Sequence, residues 1–413
     1  MTISASVTET RDALSRLDDA SSSMIARVQD WSAINSGSAE LSGLKRMADV
    51  LAGAFAALPG QVARQQLSET ERVRGDGEIE RRASGEAIRV CVRPDAPVQV
   101  ALTGHYDTVF PASSPFKAAR FLDADRLNGP GVADMKGGLL VMLEALLAFE
   151  QTAERDALGY EVLLSPDEEI GSLASAPLLA EIGARAHVGM TYEPALPDGG
   201  LAGARKGSGN FSLIVRGRSA HAGRAIHEGR NAIVAAAKFA AKLDGLNNAR
   251  EGVTFNVGAI DGGGPVNVVP DRAIVRFNIR APDPEGAIWA EEQIRALARA
   301  VDGDGISGTL HGGITRPPKP MTAAQTALFG WVKEAGADLG LFVSWAPTGG
   351  VCEGNNLFAA GCPNVDTLGV RGGAIHSEDE FAIVSSFAER AKLSFLMLRG
   401  FAVGRWNAKA LRS

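Results

Sequence analysis

The spacing of hydrophobic and polar positions changes character along the chain. Residues 87–93 and 98–103 are rich in β-forming residues with Pro94 and Pro97 between them, which predicts two strands joined by a tight connection. Apolar runs at 161–164, 187–192 and 365–370 predict three further strands. Helical periodicity at 138–149 and 173–182 lies between them. Strand and helix alternating in this way build an α/β core, a mixed but mostly parallel sheet flanked by helices.

From about residue 203 to 313 the pattern differs. Residues 210–216 and 274–280 alternate as strands, while 231–243 and 288–301 carry helical periodicity, so a self-contained α+β unit is expected. The glycine-rich stretches GGLAGARKGSG before it and DGDGISGTLHGG near its end are suited to hinges around an inserted domain. The expected division is a first core part at 1–203, the insertion at 204–314 and a second core part at 315–413. No internal repeat or low-complexity tract interrupts this plan.

The N-terminal stretch MTISASVTETRDALSRLDD lacks both the basic start and the apolar run of an export signal and reads as a helix. The most apolar stretch, 137–149, is interrupted by Glu144 and falls short of the roughly 20 residues of a membrane span. A soluble protein without a membrane partner is expected.

Composition narrows the picture. The chain has 413 residues, 45% of them apolar, which suits two or three domains with full cores. Acidic residues exceed basic ones by 48 to 42, a net charge of −6, so there is no electrostatic case for nucleic acid as a partner. Cys91, Cys352 and Cys362 are too few and too far apart for a disulfide framework or a paired-cysteine zinc site, and a reducing, cytoplasmic setting fits. With six histidines against 48 carboxylates, a metal site in this chain must draw on Asp and Glu.

Five segments carry candidate chemistry. In LTGHYDTVFP a strand ends in His105-Tyr106-Asp107, and Asp107, two residues from His105, can fix its tautomer, as either a metal-site pair or a structural one. In LNGPGVADMKGGLL, Asp134 sits in a glycine-bracketed turn where it could cap the next helix or bind a cation. LLSPDEEIGS delivers Asp167, Glu168 and Glu169 from an apolar strand, and adjacent anions require either water or a cation to neutralise them. HVGMTYEPAL ends a strand in Glu193, and LGVRGGAIHSEDEF places His376 after a glycine loop. All five lie at or just beyond predicted strand ends, where open α/β sheets place their ligand sites. His105, Asp134, Glu169, Glu193 and His376 make a natural set for two zinc ions sharing one carboxylate, and Glu168 is left over as a base for water activation.

Together GHYDTVFP, NGPGVADMKGG, PDEEIGS, YEP, GRSAHAG, NVVP and AIHSEDEF, in this order, resemble the M20 group of co-catalytic zinc peptidases and amidohydrolases, most closely its glutamate carboxypeptidase branch. The resemblance runs from about Trp31 to Phe381. It implies a zinc-peptidase-like catalytic core and identifies the insertion with the family's lid, or dimerisation, domain. It implies that His105 and Glu193 hold one metal and Glu169 and His376 the other, that Asp134 bridges, that Asp107 orients His105, and that Glu168 is the general base. The metals would be two zinc ions, with cobalt or manganese as alternatives. It further implies a homodimer through the lid, in which His221 of GRSAHAG reaches the partner's site and polarises the scissile carbonyl. Asn267 and Arg280 would contact substrate, and Arg280 and Arg316 could grip a substrate carboxylate.

One departure from the family pattern is the loop Gly350-Val351-Cys352-Glu353-Gly354, where many members carry a Ser-Asp or Thr-Asp pair. Cys352 has no protease-like partner pattern, and neither a Gly-x-Ser-x-Gly elbow nor a His-Glu-x-x-His helix occurs. The expected activity is hydrolysis of an amide in a short peptide or acyl-amino acid, releasing a C-terminal amino acid, glutamate first. Deacylation of N-acyl amino acids is the alternative within the same chemistry. A non-catalytic binding homologue would have lost a ligand or the base, and neither is lost.

Overall fold

The computed structural model describes residues 3–412. Its central sheet has six strands in the order Gln61–Gln66, Glu86–Val92, Leu158–Ser165, Val98–His105, Val188–Thr191 and Asn364–Val365. The last four run parallel, and the first two close one side in antiparallel fashion. Strand Val98–His105 has its last six residues buried on both faces, which accounts for the unbroken apolar stretch Val100-Ala101-Leu102 at its centre.

Apart from Glu144, which accepts from Arg27 at 2.8 Å, the body of helix Lys136–Phe149 is apolar nearly all round because nearly all of it is covered. It lies between the sheet and the helices Ser21–Ser32 and Ser386–Ala402. Leu139, Leu140, Leu143 and Leu146 are fully buried there; at roughly 2 kcal/mol each they make the helix a fixed platform. Helices Ala176–Arg185 and Glu353–Ala359 cover the opposite face through a smaller cluster with Ala87, Ala101 and Leu163. No described helix is long and apolar enough to cross a membrane.

The inserted unit is a four-stranded antiparallel sheet in the order Thr254–Gly262, Arg272–Ala281, Gly207–Arg216, Ser307–Arg316. Helices Ala232–Asp244 and Pro284–Arg299 pack on one face around Phe211 and Phe277, whose rings stack at 5.4 Å. This hydrophobic cluster is separate from that of the core. The α/β core with an inserted α+β domain therefore agrees with the pattern read from the sequence.

Several boundaries differ. The strand expected at 365–370 stops at Val365, because the buried Arg390 donates to the Thr367 and Gly369 carbonyls, which do not join a ladder. Gly369 also passes so close to Tyr192 that a Cβ would meet its carbonyl oxygen at 2.2 Å. The helix expected at 173–182 begins only at Ala176, since Asp167 captures the Ala174 and Ser175 amides in the preceding turn. The glycine-rich flanks are strands, Leu201–Arg205 and Ser307–Arg316, and the chain crosses between the units just beyond them. At that crossing Arg205 and Lys319 exchange backbone hydrogen bonds of 2.9 Å each.

Candidate active site

The parallel strands end on one side of the sheet and deliver the candidate ligands to the same place. His105 closes its strand opposite Ser165, whose strand runs on into the acidic turn, and Glu193 follows Val188–Thr191. Asp134 comes from the loop before helix Lys136–Phe149, across a cis Asp134–Met135 peptide bond. His376 projects from a turn in which it adopts φ 64, a left-handed conformation that costs a non-glycine residue about 1 kcal/mol and is found where a side chain must be aimed.

Asp134 lies between two imidazoles. Its Oδ1 is 3.1 Å from His105 Nε2 and its Oδ2 is 3.2 Å from His376 Nε2. Glu193 Oε1 stands 3.8 Å from His105 Nε2, and Glu169 Oε2 is 3.1 Å from His376 Nε2. The result is two three-residue groups sharing Asp134: His105, Asp134 and Glu193, and Asp134, Glu169 and His376. The capping alternative for Asp134 does not apply, since Met135 occupies the N-cap and no side chain caps that helix.

The electrostatics suit cations. Burial opposes ionisation of Asp134, yet the hydrogen bonds from His105 and His376 hold its carboxyl well below the usual range. Burial pushes Glu169 and Glu193 up to about 8, with the charge of Asp134 adding to the shift. Hydrogen bonds to Asp134 and Glu169 raise His376 to about 11. Such opposed shifts mark a cluster whose protons a cation replaces, and buried Glu193 Oε1 lacks a hydrogen-bond partner among the described residues. The donor set of imidazole and carboxylate fits a pair of divalent cations.

The supporting contacts explain the aim of each group. His105 Nδ1 is 3.0 Å from the Asp107 carbonyl oxygen and 3.3 Å from its carboxylate. That carboxylate accepts from Ser38 Oγ at 2.7 Å and from the amides of Glu168 and Glu169 at 3.1 and 3.2 Å. Asp107 thus ties the histidine to the acidic turn. Asp167 is occupied inside the turn itself. Glu168, outside both ligand groups, accepts a 2.6 Å bond from Arg316 Nη2.

Asp134, Glu168, Glu169, Glu193 and His376 border a cavity of about 600 Å³ between core and lid. Arg316 lines it but is 1% exposed, with its charge matched by Glu168 and its other arm on Asn356 at 2.6 Å. Arg280 also lines it and is half-buried; it donates to Asn278 Oδ1 and the Gly349 carbonyl, with no ion pair to a carboxylate among the described residues. His221 and Asn267 are exposed and do not line the cavity; they sit side by side on the lid, where the Ala222 amide bonds the Asn267 carbonyl at 2.9 Å. In the divergent loop, Cys352 lines the cavity and caps helix Glu353–Ala359 through its sulfur, while Glu353 is buried against Ser165, the register partner of His105.

Glu380 was not singled out by sequence reasoning, although it lies in the AIHSEDEF segment. Its carboxylate accepts the amides of Gly131, Ala133 and Asp134 at 3.2, 3.0 and 3.0 Å, and so sets the loop that carries the shared ligand. Only the acidic run in that segment hinted at it.

An α/β core whose strand ends converge two imidazoles and three carboxylates beside a spare glutamate defines a metal-dependent hydrolase. Residues 101–399 match peptidase family M20/M25/M40, and the chain belongs to that family. It is 26% identical over 315 residues to carboxypeptidase G2 of Pseudomonas sp. (strain RS-16), covering 74% of each chain. It is 28% identical over 305 residues to the succinyl-diaminopimelate desuccinylase of Methylobacterium radiotolerans, covering 69% of this chain and 76% of the relative. The fold matches a metallo-carboxypeptidase of the M20 family from Sulfolobus solfataricus with a TM-score of 0.70 at 16% identity, over 92% of this chain and 99% of that one.

Proposed function

We propose that the protein hydrolyses an amide bond in a short peptide or acyl-amino acid and releases the C-terminal amino acid, glutamate being the first candidate. The observation that carries this reading is the five-residue cluster with Glu168 beside it, outside both ligand groups, on the wall of the cavity between core and lid. His105 and Glu193 would hold one divalent cation, Glu169 and His376 the other, and Asp134 both; zinc is the first expectation and cobalt or manganese the alternatives. Bound there, such cations polarise a carbonyl and lower the pKa of water.

The chain's own residues supply the rest. Glu168 takes the proton of the attacking water on its carboxylate and returns it to the leaving nitrogen. Arg316 holds that carboxylate against the cavity wall, so recognition of a substrate carboxylate falls to Arg280. In the homodimer we infer through the lid of residues 204–314, the partner's His221 donates to the developing oxyanion, with Asn267 beside it. Three free cysteines, two of them buried, accord with a cytoplasmic setting.

The name of the Pseudomonas relative supports carboxypeptidase action, whereas the desuccinylase relatives favour a second reading, removal of an acyl group from an amino acid. A panel of N-acyl and N-aroyl amino acids separates the two: indifference to the C-terminal side chain supports the deacylase. For the mechanism itself, Glu168→Ala should lose roughly 100- to 10,000-fold in kcat while keeping its metal. Normal turnover by that variant with metal bound would sink the assignment.

A further inference from the structure

We infer that Asn278 is a positioning residue that aims Arg280 at the substrate carboxylate and selects which edge of the guanidinium grips it. The inference rests on the reading of Arg280 as the carboxylate anchor. Asn278 and Arg280 are two apart on strand Arg272–Ala281, so both project from the same face of the lid sheet, and both line the cavity. On the neighbouring strand Asn210 and Ser208 stand opposite them in register.

The hydrogen bonds run in one direction. Arg280 can only donate, so the oxygen of the Asn278 amide must face it, and Oδ1 accepts from Arg280 Nε at 3.1 Å. The amide nitrogen is then directed the other way, where Asn210 Oδ1, the Gly209 carbonyl and Ser208 Oγ receive it at 2.7, 3.0 and 3.1 Å. Anchored on three acceptors, Asn278 cannot swing without losing them. Arg280 Nη1 reaches the Gly349 carbonyl at 3.3 Å, across from the lid to the core.

Nε–H and one Nη1–H are therefore engaged, which leaves one donor on Nη1 and two on Nη2, and only the Nη1–Nη2 edge can still offer a pair of them. A carboxylate entering the cavity is held end-on by that edge, and the side-on grip through Nε is closed to it. Among the described residues no acidic side chain pairs with Arg280, so none competes for that edge. An Asn here holds the guanidinium without neutralising it, which an Asp in the same place would do.

The test compares N-benzoyl-L-glutamate with its α-carboxamide on the metal-loaded protein, in kinetics and in calorimetric binding. The wild type should prefer the free carboxylate. Arg280→Met should erase that preference, and Asn278→Ala should weaken it roughly tenfold through KM with kcat little changed, the effect of one hydrogen bond to a charged group. In the Arg280→Met background Asn278→Ala should then change the preference no further. A loss equal for both compounds in Asn278→Ala would show a merely structural role and overturn the inference. An unchanged preference in Arg280→Met would overturn the Arg280 reading along with it, and failure of both compounds to bind or react would reject the proposed substrate class.

Discussion

At the scale of single residues, the side chains nearest the chemistry are held by others one step behind. Glu380 shows this best. Three amides of the loop carrying Asp134 converge on its carboxylate, and the group is 1% exposed. Replacing it by Ala leaves three buried donors without their acceptor, each costing about 1–3 kcal/mol if the loop stays in place, so the loop shifts and Asp134 with it. Glu380→Ala should weaken metal affinity by roughly 10- to 100-fold with the secondary structure intact, and Glu380→Gln, which keeps one acceptor oxygen, should fall between. Competition against a chelator of known affinity measures this, and unchanged affinity in the alanine variant would remove the positioning role. The ligand candidates could be found from sequence because each sits where an apolar strand ends or in a glycine-bounded turn. The roles of Glu380, Glu353 and Asn278 could not, since their partners lie on other elements and the local pattern does not report those contacts.

At the scale of elements, the junction between core and lid is fixed by one carboxylate. Asp366, beyond the last core strand, accepts from Arg205 Nε at 2.7 Å and Nη2 at 3.0 Å, and from Lys319 Nζ at 2.6 Å. Arg205 sits on the chain entering the lid and Lys319 on the chain leaving it, so both crossings meet at Asp366. Burial opposes ionisation of Asp366, but the two cations outweigh it and hold its carboxyl at about 2. A carboxyl lowered on folding contributes stability that is fully present above its ordinary pKa of 3.8 and is lost as pH falls from there towards about 2. Asp366→Asn leaves two buried cations without an anion and should cost about 3–5 kcal/mol in urea unfolding at neutral pH. It should also flatten the acid limb of stability between those pH values, and a variant as stable as the wild type would disprove the pin. The glycine-rich flanks suggested hinges, yet the extended backbone and missing side chains of glycine serve an edge strand equally well. At Gly312, φ 98, a Cβ would meet the Asn210 carbonyl at 2.1 Å, so these glycines allow the close approach of strands.

At the scale of the whole molecule, the lid has its own hydrophobic cluster and presents His221 away from the cavity of its own protomer. His221 is exposed in a turn paired with Val268, beside Val266, which is 100% exposed, and Ile226, 65% exposed. A second copy of the chain is one way to bring such a histidine to a cavity, and the exposed aliphatic residues around it are what that contact would cover. This makes a prediction that activity in mixed dimers can test. His221→Ala and Glu168→Ala should each be nearly inactive alone. In a mixed dimer, the protomer carrying His221→Ala keeps its own Glu168 and receives an intact His221 from its partner, so one of the two sites is complete. Random reassortment of equal amounts makes half the dimers mixed, and activity should return to roughly a quarter of the wild-type value. If His221 acted within its own protomer, both sites of the mixed dimer would stay incomplete and no activity would return. A protein that sediments as a monomer at assay concentration while fully active would exclude the shared site altogether.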